Sequence, residues 1–164
     1  MPTKRLQHEI EHGKTDIAKM QPEYGWSGPA GKIRRARRIA FMLKGLHGDA
    51  KVLEVGAGTG LQTADLSKKL NFLTAIDISP DLLAVAKTRA PGATYRVMDA
   101  HKPEFPENSF DAILGVSLLH HLDWDTALKN YFPLLKPGGI VRFSDPNLVN
   151  PQIYLQKNVP FLRG

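Results

Sequence analysis

The chain has 164 residues, 42% apolar and 23% charged, which suits one globular domain with a real core rather than two domains. It contains no cysteine, so disulfides, thiolate metal sites and a cysteine nucleophile are excluded. No run reaches the roughly 18 apolar residues of a membrane span, and the polar start lacks a secretory signal's apolar stretch; no membrane partner is expected, and the cytoplasm is the default compartment.

The net charge of +6 is an early feature of the chain. Residues 1–50 hold ten Lys/Arg against five Asp/Glu, while residues 51–164 hold twelve against eleven. Residues 1–20 read as weakly helical and peripheral. Residues 22–31, PEYGWSGPAG, read as a turn-rich loop carrying Tyr24 and Trp26. The apolar spacing then predicts a helix over 32–46, ended by Gly45, Gly48 and Asp49. Arg34, Arg35, Arg37 and Arg38 cluster on it. As phosphate contacts they would mark nucleic-acid binding. The cluster is short and has no interleaved aromatics, so the favoured reading is a solvated face opposite Ile33, Ala36, Ile39, Ala40 and Leu43.

Beyond residue 50 the pattern alternates. Strands are predicted over 51–55, 72–77, 94–99, 110–116 and 139–145. Helices are predicted over 61–70, 79–89 and 123–135, with Ser79 as N-cap and Pro80 at the first helical position. The strands are apolar on both faces. That pattern describes a doubly wound α/β fold, a parallel sheet covered by helices on both sides. Ligands of such folds bind outside the carboxyl ends of the strands, where strand order reverses.

The first strand opens into Glu54-Val55-Gly56-Ala57-Gly58-Thr59-Gly60. Alternate glycines let the backbone turn sharply and approach a ligand. The spacing is G-x-G-x-G rather than the dinucleotide G-x-G-x-x-G, which disfavours an NAD-binding dehydrogenase. An acid beside the turn repels a pyrophosphate and suits an ammonium group. Asp77 closes the second strand, 21 residues after Gly56, where a carboxylate can accept from both hydroxyls of a ribose; Ile78 beside it can cover an adenine face. Asp99, before Ala100, can accept from an adenine amino group. After the fourth strand, Val116 and Ser117 lead to His120 and His121, candidates for general-base work near an entering substrate. Adjacent residues diverge on a helix, so at most one of the pair is expected to face the cleft. No set of residues has metal-site spacing.

These stretches, VLEVGAGTG, LTAIDIS, MDAHKPEFPENSFDAI, SLLHHL and LLKPGG, occur in order over about residues 50–147. Together they resemble the small-molecule class I S-adenosylmethionine-dependent methyltransferases, the group that includes ubiquinone and menaquinone methyltransferases. The resemblance implies a Rossmann-like methyltransferase fold, S-adenosyl-L-methionine as cofactor, S-adenosyl-L-homocysteine as product and a small-molecule acceptor. It implies that Glu54 and the loop of Gly56, Ala57, Gly58 and Gly60 hold the methionine part, Asp77 the ribose, and Asp99 with Ala100 the adenine. Val116 and Ser117 would line the cleft. Residues 1–50 would be a helical cap, 51–147 the binding core and 148–164 a C-terminal segment.

The resembled fold has seven strands, the last two forming an antiparallel addition beside the fifth. Five are legible here. The expectation is therefore that the sequence stops short of the family pattern, with weak or absent turnover, and that either a homodimer covers the fifth strand through its edge or through residues 148–164, or the C-terminal segment is poorly ordered. The alternatives are a non-catalytic cofactor-binding or protein-interaction module, and an RNA methyltransferase suggested by the arginines alone.

Overall fold

Five apolar segments lie side by side in the computed structural model, which describes residues 28–145 and the single positions 7 and 11. They are β1 (Lys51–Val55), β2 (Phe72–Asp77), β3 (Thr94–Val97), β4 (Phe110–Val116) and β5 (Leu135–Ser144). All neighbouring pairs are parallel, and the order is β3-β2-β1-β4-β5. The chain builds outward from β1 to β3, then crosses back to lay β4 against the other side of β1. The order therefore reverses between β1 and β4, which puts the crevice of the fold at their carboxyl ends.

Among residues 28–145, four helices cover the sheet: α1 (Pro29–Leu43), α2 (Leu61–Leu66), α3 (Pro80–Arg89) and α4 (Trp124–Tyr131). Single 3-10 turns flank α4, at Leu119–His121 before it and Phe132–Leu134 after it. The period-two alternation of each strand divides the core. On one face Val52, Leu73, Ala112 and Leu114 pack with Ile39 and Met42 of α1 and Leu66 of α2. Farther along that face Ala75 meets Leu83 of α3. On the other face Leu53, Val55, Ile76 and Ile113 pack with Ala127 and Tyr131 of α4. Leu53, Ile76, Ile113 and Leu114 are fully buried, each contributing about 1.5–3 kcal/mol of apolar burial. The expected doubly wound architecture is thus present.

Several boundaries differ from the sequence reading, each for a local reason. Helix α1 starts at Pro29 rather than 32, because proline suits the first helical position, and it ends at Leu43 before Gly45 in the left-handed region. Its buried residues are Gly31, Ile39 and Met42, whereas Ile33 is 56% exposed and Ala36 and Ala40 also face outward. Of the predicted face, Ile39 and Leu43 pack into the core, while Ile33, Ala36 and Ala40 do not. The arginine cluster is not one solvated face either: Arg35 and Arg38 are half-buried, whereas Arg34 and Arg37 are exposed. Arg35 Nε and Nη2 donate to Asp65 of α2 at 2.7 and 3.3 Å. Burial holds the Arg38 guanidinium below its ordinary range, with the Asp145 carboxylate opposing that shift.

Helix α2 ends at Leu66, yet Leu70 beyond it is still buried. Strand β3 ends at Val97, leaving Asp99 in the following turn. Helix α4 gives way at Tyr131 to a 3-10 turn containing Pro133, which has no N–H to continue it. Strand β5 starts at Leu135, four residues earlier than expected, and crosses its Pro-Gly-Gly stretch through a register irregularity against Phe110 and Ala112.

The faces of β5 are not bare. Ile140 joins the first core cluster, and Val141 and Phe143 join the second. Phe143 stacks on Tyr131 at 6.2 Å between ring centroids. Arg142 Nη1 donates to the Phe41 and Met42 carbonyls at 3.3 and 3.0 Å, capping the end of α1. The loop bearing Tyr24 and Trp26 and the expected dimer segment 148–164 lie outside the described residues. No helix among the described residues is long and apolar enough to cross a membrane.

Candidate functional site

The carboxyl end of β1 turns into α2 through residues 56–60. Gly56 and Ala57 donate their N–H groups to the Ile76 carbonyl at 2.9 and 3.0 Å, closing the turn against β2. Gly56 has φ of +71° and Gly60 +76°, the left-handed region in which a side chain is strained. Space adds to the constraint. A Cβ on Gly60 would stand 2.7 Å from Ala86 Cα of α3, and one on Gly56 would stand 2.9 Å from Leu118 Cδ1. The turn is thus wedged between α3 and the segment after β4.

Asp77 braces this turn. Its Oδ2 accepts from the Gly58 N–H at 2.8 Å, and its Oδ1 from the Ser79 N–H at 2.9 Å. A carboxylate accepts at about four positions, so bracing the loop is compatible with accepting from a bound diol. Capping of α3 falls to Ser79, as its position predicts: the Ser79 hydroxyl accepts from the Leu82 N–H at 3.3 Å. Ile78 is half-buried between them.

Glu54 is 2% exposed. Burial pushes its carboxyl up to about 8, and the Asp77 charge acts in the same direction. The Thr63 hydroxyl opposes this without completing a regular hydrogen bond, since Glu54 Oε2 and Thr63 Oγ1 are both buried without a hydrogen-bond partner. Unsatisfied buried acids are rare because their desolvation is costly. This one sits beneath the glycine turn, where a donor group would satisfy it. Burial, helped by Glu54, pushes the neighbouring Tyr95 hydroxyl up to about 12.

Past β3, Asp99 Oδ1 accepts from the His101 backbone N–H at 2.9 Å and lies 3.2 Å from His101 Nδ1. The Ala100 carbonyl accepts from the Tyr131 hydroxyl at 2.7 Å, and the His101 carbonyl from Asn130 Nδ2 at 2.7 Å. Residues 99–101 are therefore fastened to α4. Val116 ends β4 half-buried, and Ser117 follows with φ of +54°, strained for a residue with a side chain. The Ser117 N–H donates to the Ser144 carbonyl at 2.9 Å, so the chain leaves the sheet there. His120 and His121 lie on the 3-10 turn that comes next; the His121 side chain is exposed.

The fold thus brings Glu54, the glycine turn, Asp77, Asp99 and Val116 to one end of the sheet. Sequence reasoning missed His101, which sits in a turn-rich stretch with no periodicity to mark it. It also missed the strain at Ser117, for which serine carries no signal. A separate depression of about 420 Å³ opens at the opposite, amino end of the strands, lined by Lys44, His47, Asp49, Asp111 and Lys136. Its Asp111 is already held by Lys136 Nζ at 2.7 and 2.8 Å, which lowers its pKa. No group of three His, Asp or Glu residues among the described residues has metal-site geometry.

Comparison with known proteins gives a consistent picture. A family profile described as "Methyltransferase domain" matches residues 53–143. An uncharacterized methyltransferase of Mycobacterium tuberculosis is 39% identical over 105 residues, 60% of this chain and 53% of that protein. The demethylmenaquinone methyltransferase of Tropheryma whipplei is 37% identical over 136 residues, 77% of this chain and 56% of that protein. Among solved structures, the N-methyltransferase NodS of Bradyrhizobium japonicum, in complex with S-adenosyl-L-homocysteine, matches with a TM-score of 0.70 at 24% identity. That match covers 82% of this chain and 71% of NodS, and it shows a shared fold. The chain spans little more than half the length of the two curated relatives.

Proposed function

Because the chain belongs to the methyltransferase-domain family, we propose that it binds S-adenosylmethionine at the carboxyl ends of β1 to β4 and transfers its methyl group to a small-molecule acceptor. The observation that carries the proposal is the buried Glu54 carboxyl with a partnerless oxygen beneath a left-handed glycine turn. That pairing fits a ligand that presents an ammonium group and no phosphate. Glu54 and the turn of Gly56, Ala57, Gly58 and Gly60 would hold the methionine part. Asp77 would accept from the ribose hydroxyls, with Ile78 against the base. Asp99 and Ala100 would meet the adenine edge, and Val116 and Ser117 would line the cofactor cleft.

When bound, the cofactor supplies an electrophilic methyl on sulfonium sulfur. The protein's share is to align donor and acceptor and to exclude water, which reduces the barrier through proximity. A base is needed only where the acceptor must lose a proton, and His120 or His121 is the candidate for that role. The demethylmenaquinone methyltransferase among the relatives makes a quinol ring the first acceptor to assay.

Titration calorimetry should show binding of S-adenosylhomocysteine and none of NAD. Transfer of labelled methyl to a reduced quinone should then be measured. Tight NAD binding with no response to S-adenosylhomocysteine would overturn the proposal. Cofactor binding with no transfer to any acceptor would favour the non-catalytic module instead. An RNA acceptor is disfavoured because Arg35, part of the basic cluster, is already engaged by Asp65.

A further inference from the structure

We infer that His101 is a positioning residue, a neutral Nδ1–H imidazole that fixes the Asp99 carboxylate and couples it to the amino end of α4. The tautomer follows from the hydrogen bonds. The Asp123 backbone N–H can only donate, and it lies 2.9 Å from His101 Nε2, so that nitrogen carries the lone pair. The proton of the neutral ring is then on Nδ1, which faces Asp99 Oδ1 at 3.2 Å. The same oxygen accepts from the His101 backbone N–H at 2.9 Å. Two donors on one oxygen select one carboxylate rotamer.

The other end of the link is equally defined. Asp123 is the N-cap of α4, and its side chain is occupied in accepting from Thr126 Oγ1 at 2.7 Å. The imidazole thus lies between the turn after β3 and the start of α4, with its side chain 14% exposed. Asn130 and Tyr131, from the last turn of α4, clamp the carbonyls of residues 101 and 100 at 2.7 Å each. Asp99 is therefore held by a side chain that α4 itself orients. Resting on the proposed contact between Asp99 and an adenine amino group, His101 sets how strictly the site demands that amino group.

The test compares the wild type, His101→Asn and His101→Gln. Asparagine presents an N–H near the position of Nδ1, keeping the donor to Asp99. Glutamine reaches the position of Nε2, keeping an acceptor for Asp123 and losing the donor to Asp99. Each protein is titrated with S-adenosylhomocysteine and with S-inosylhomocysteine, in which a carbonyl replaces the amino group. Melting temperature is recorded alongside.

Wild type should prefer the adenosine form by about tenfold or more. His101→Asn should keep that preference, and His101→Gln should lose most of it while remaining folded. Equal preference in all three folded proteins, or a loss that merely follows melting temperature, would overturn the role of His101. A wild type that binds S-adenosylhomocysteine without any preference would overturn it too, by removing the Asp99 contact. Failure of the wild type to bind either nucleoside would overturn the cofactor reading itself.

Discussion

Glu54→Gln separates the cost of the site from its use. In the unfolded chain the Glu54 carboxyl titrates near 4.5; in the fold, burial pushes it up to about 8. Between those values the folded protein holds a proton that the unfolded chain has released. Stability therefore falls as pH rises from about 4.5 to about 8 and levels off above that. At about 1.4 kcal/mol per unit, the difference is on the order of 5 kcal/mol, a large share of a domain's usual 5–15. Glutamine is nearly isosteric and does not ionise, so the variant should lack this slope. Urea denaturation at pH 5, 7 and 9 should show the two proteins similar at pH 5 and the variant more stable by several kcal/mol at pH 9. A stability difference independent of pH would refute the reasoning.

The same variant bears on binding. A cationic amino group beside Glu54 favours the carboxylate, so binding near pH 7 should expel the proton that burial retains. Calorimetry of S-adenosylmethionine binding in two buffers of different ionisation enthalpy reads that release directly. In Glu54→Gln the buffer dependence should vanish and affinity should fall. Proton uptake by the wild type, or release that persists in the variant, would refute the assignment.

Asp77→Ala should weaken S-adenosylhomocysteine binding more than Asp99→Ala does, because under the proposed function Asp77 would accept from both ribose hydroxyls, and it also braces the Gly58 turn. With each charge-assisted hydrogen bond worth about 1.5–3 kcal/mol, calorimetry should read a loss of about a hundredfold or more against about tenfold; equal losses in folded variants would contradict this. Gly60→Ala sets a methyl 2.7 Å from Ala86 Cα at a φ of +76°. It should lower the melting temperature by roughly 5–10 °C, and an unchanged melt would show that α3 yields freely. In gel shifts with RNA and duplex DNA at physiological salt, association should be weak and salt-sensitive. Tight binding abolished by Arg34→Ala and Arg37→Ala would reinstate a nucleic-acid acceptor.

The parts of this fold legible in the sequence are those governed by short-range chemistry. Strand β1 and the glycine turn could be read because an apolar run ending in alternate glycines has few other uses. Ser79-Pro80 marked the start of α3 correctly because an N-cap followed by proline is a local signal. The inward face of helix α1 was read only in part, at Ile39 and Leu43, because alanines and arginines give little contrast: Ala36 and Ala40 fit either face, and Arg35 can lie half-buried once Asp65, thirty residues away, engages it. The early start of β5 was hidden by Pro137 and Gly138, which read as a turn in isolation but lie within the strand, next to Lys136 held by Asp111. For the candidate site, the acids Glu54, Asp77 and Asp99 could be picked out by their positions in or just after the strands. The connection from Asp99 through His101 to α4 could not, because it depends on side chains brought together only by the crossover from β3 to β4.

The cleft differs from residue to residue in how much of it is already formed. Asp77 and Asp99 each accept from backbone N–H groups, so their carboxylates are oriented before anything binds. Orientation of that kind reduces the ordering cost of recognition, which suits the part of a ligand that stays the same on every turnover. Glu54 is the opposite case: buried, proton-retaining and with one oxygen unsatisfied. Its desolvation has been met during folding, so a donor that reaches it gains a charge-assisted bond in a low-dielectric setting. Under the proposed function, affinity for the amino end of the cofactor should therefore depend on pH through Glu54. Discrimination at the base should depend on the rigidity that His101 imparts to Asp99, a division that the Glu54 and His101 variants can resolve independently.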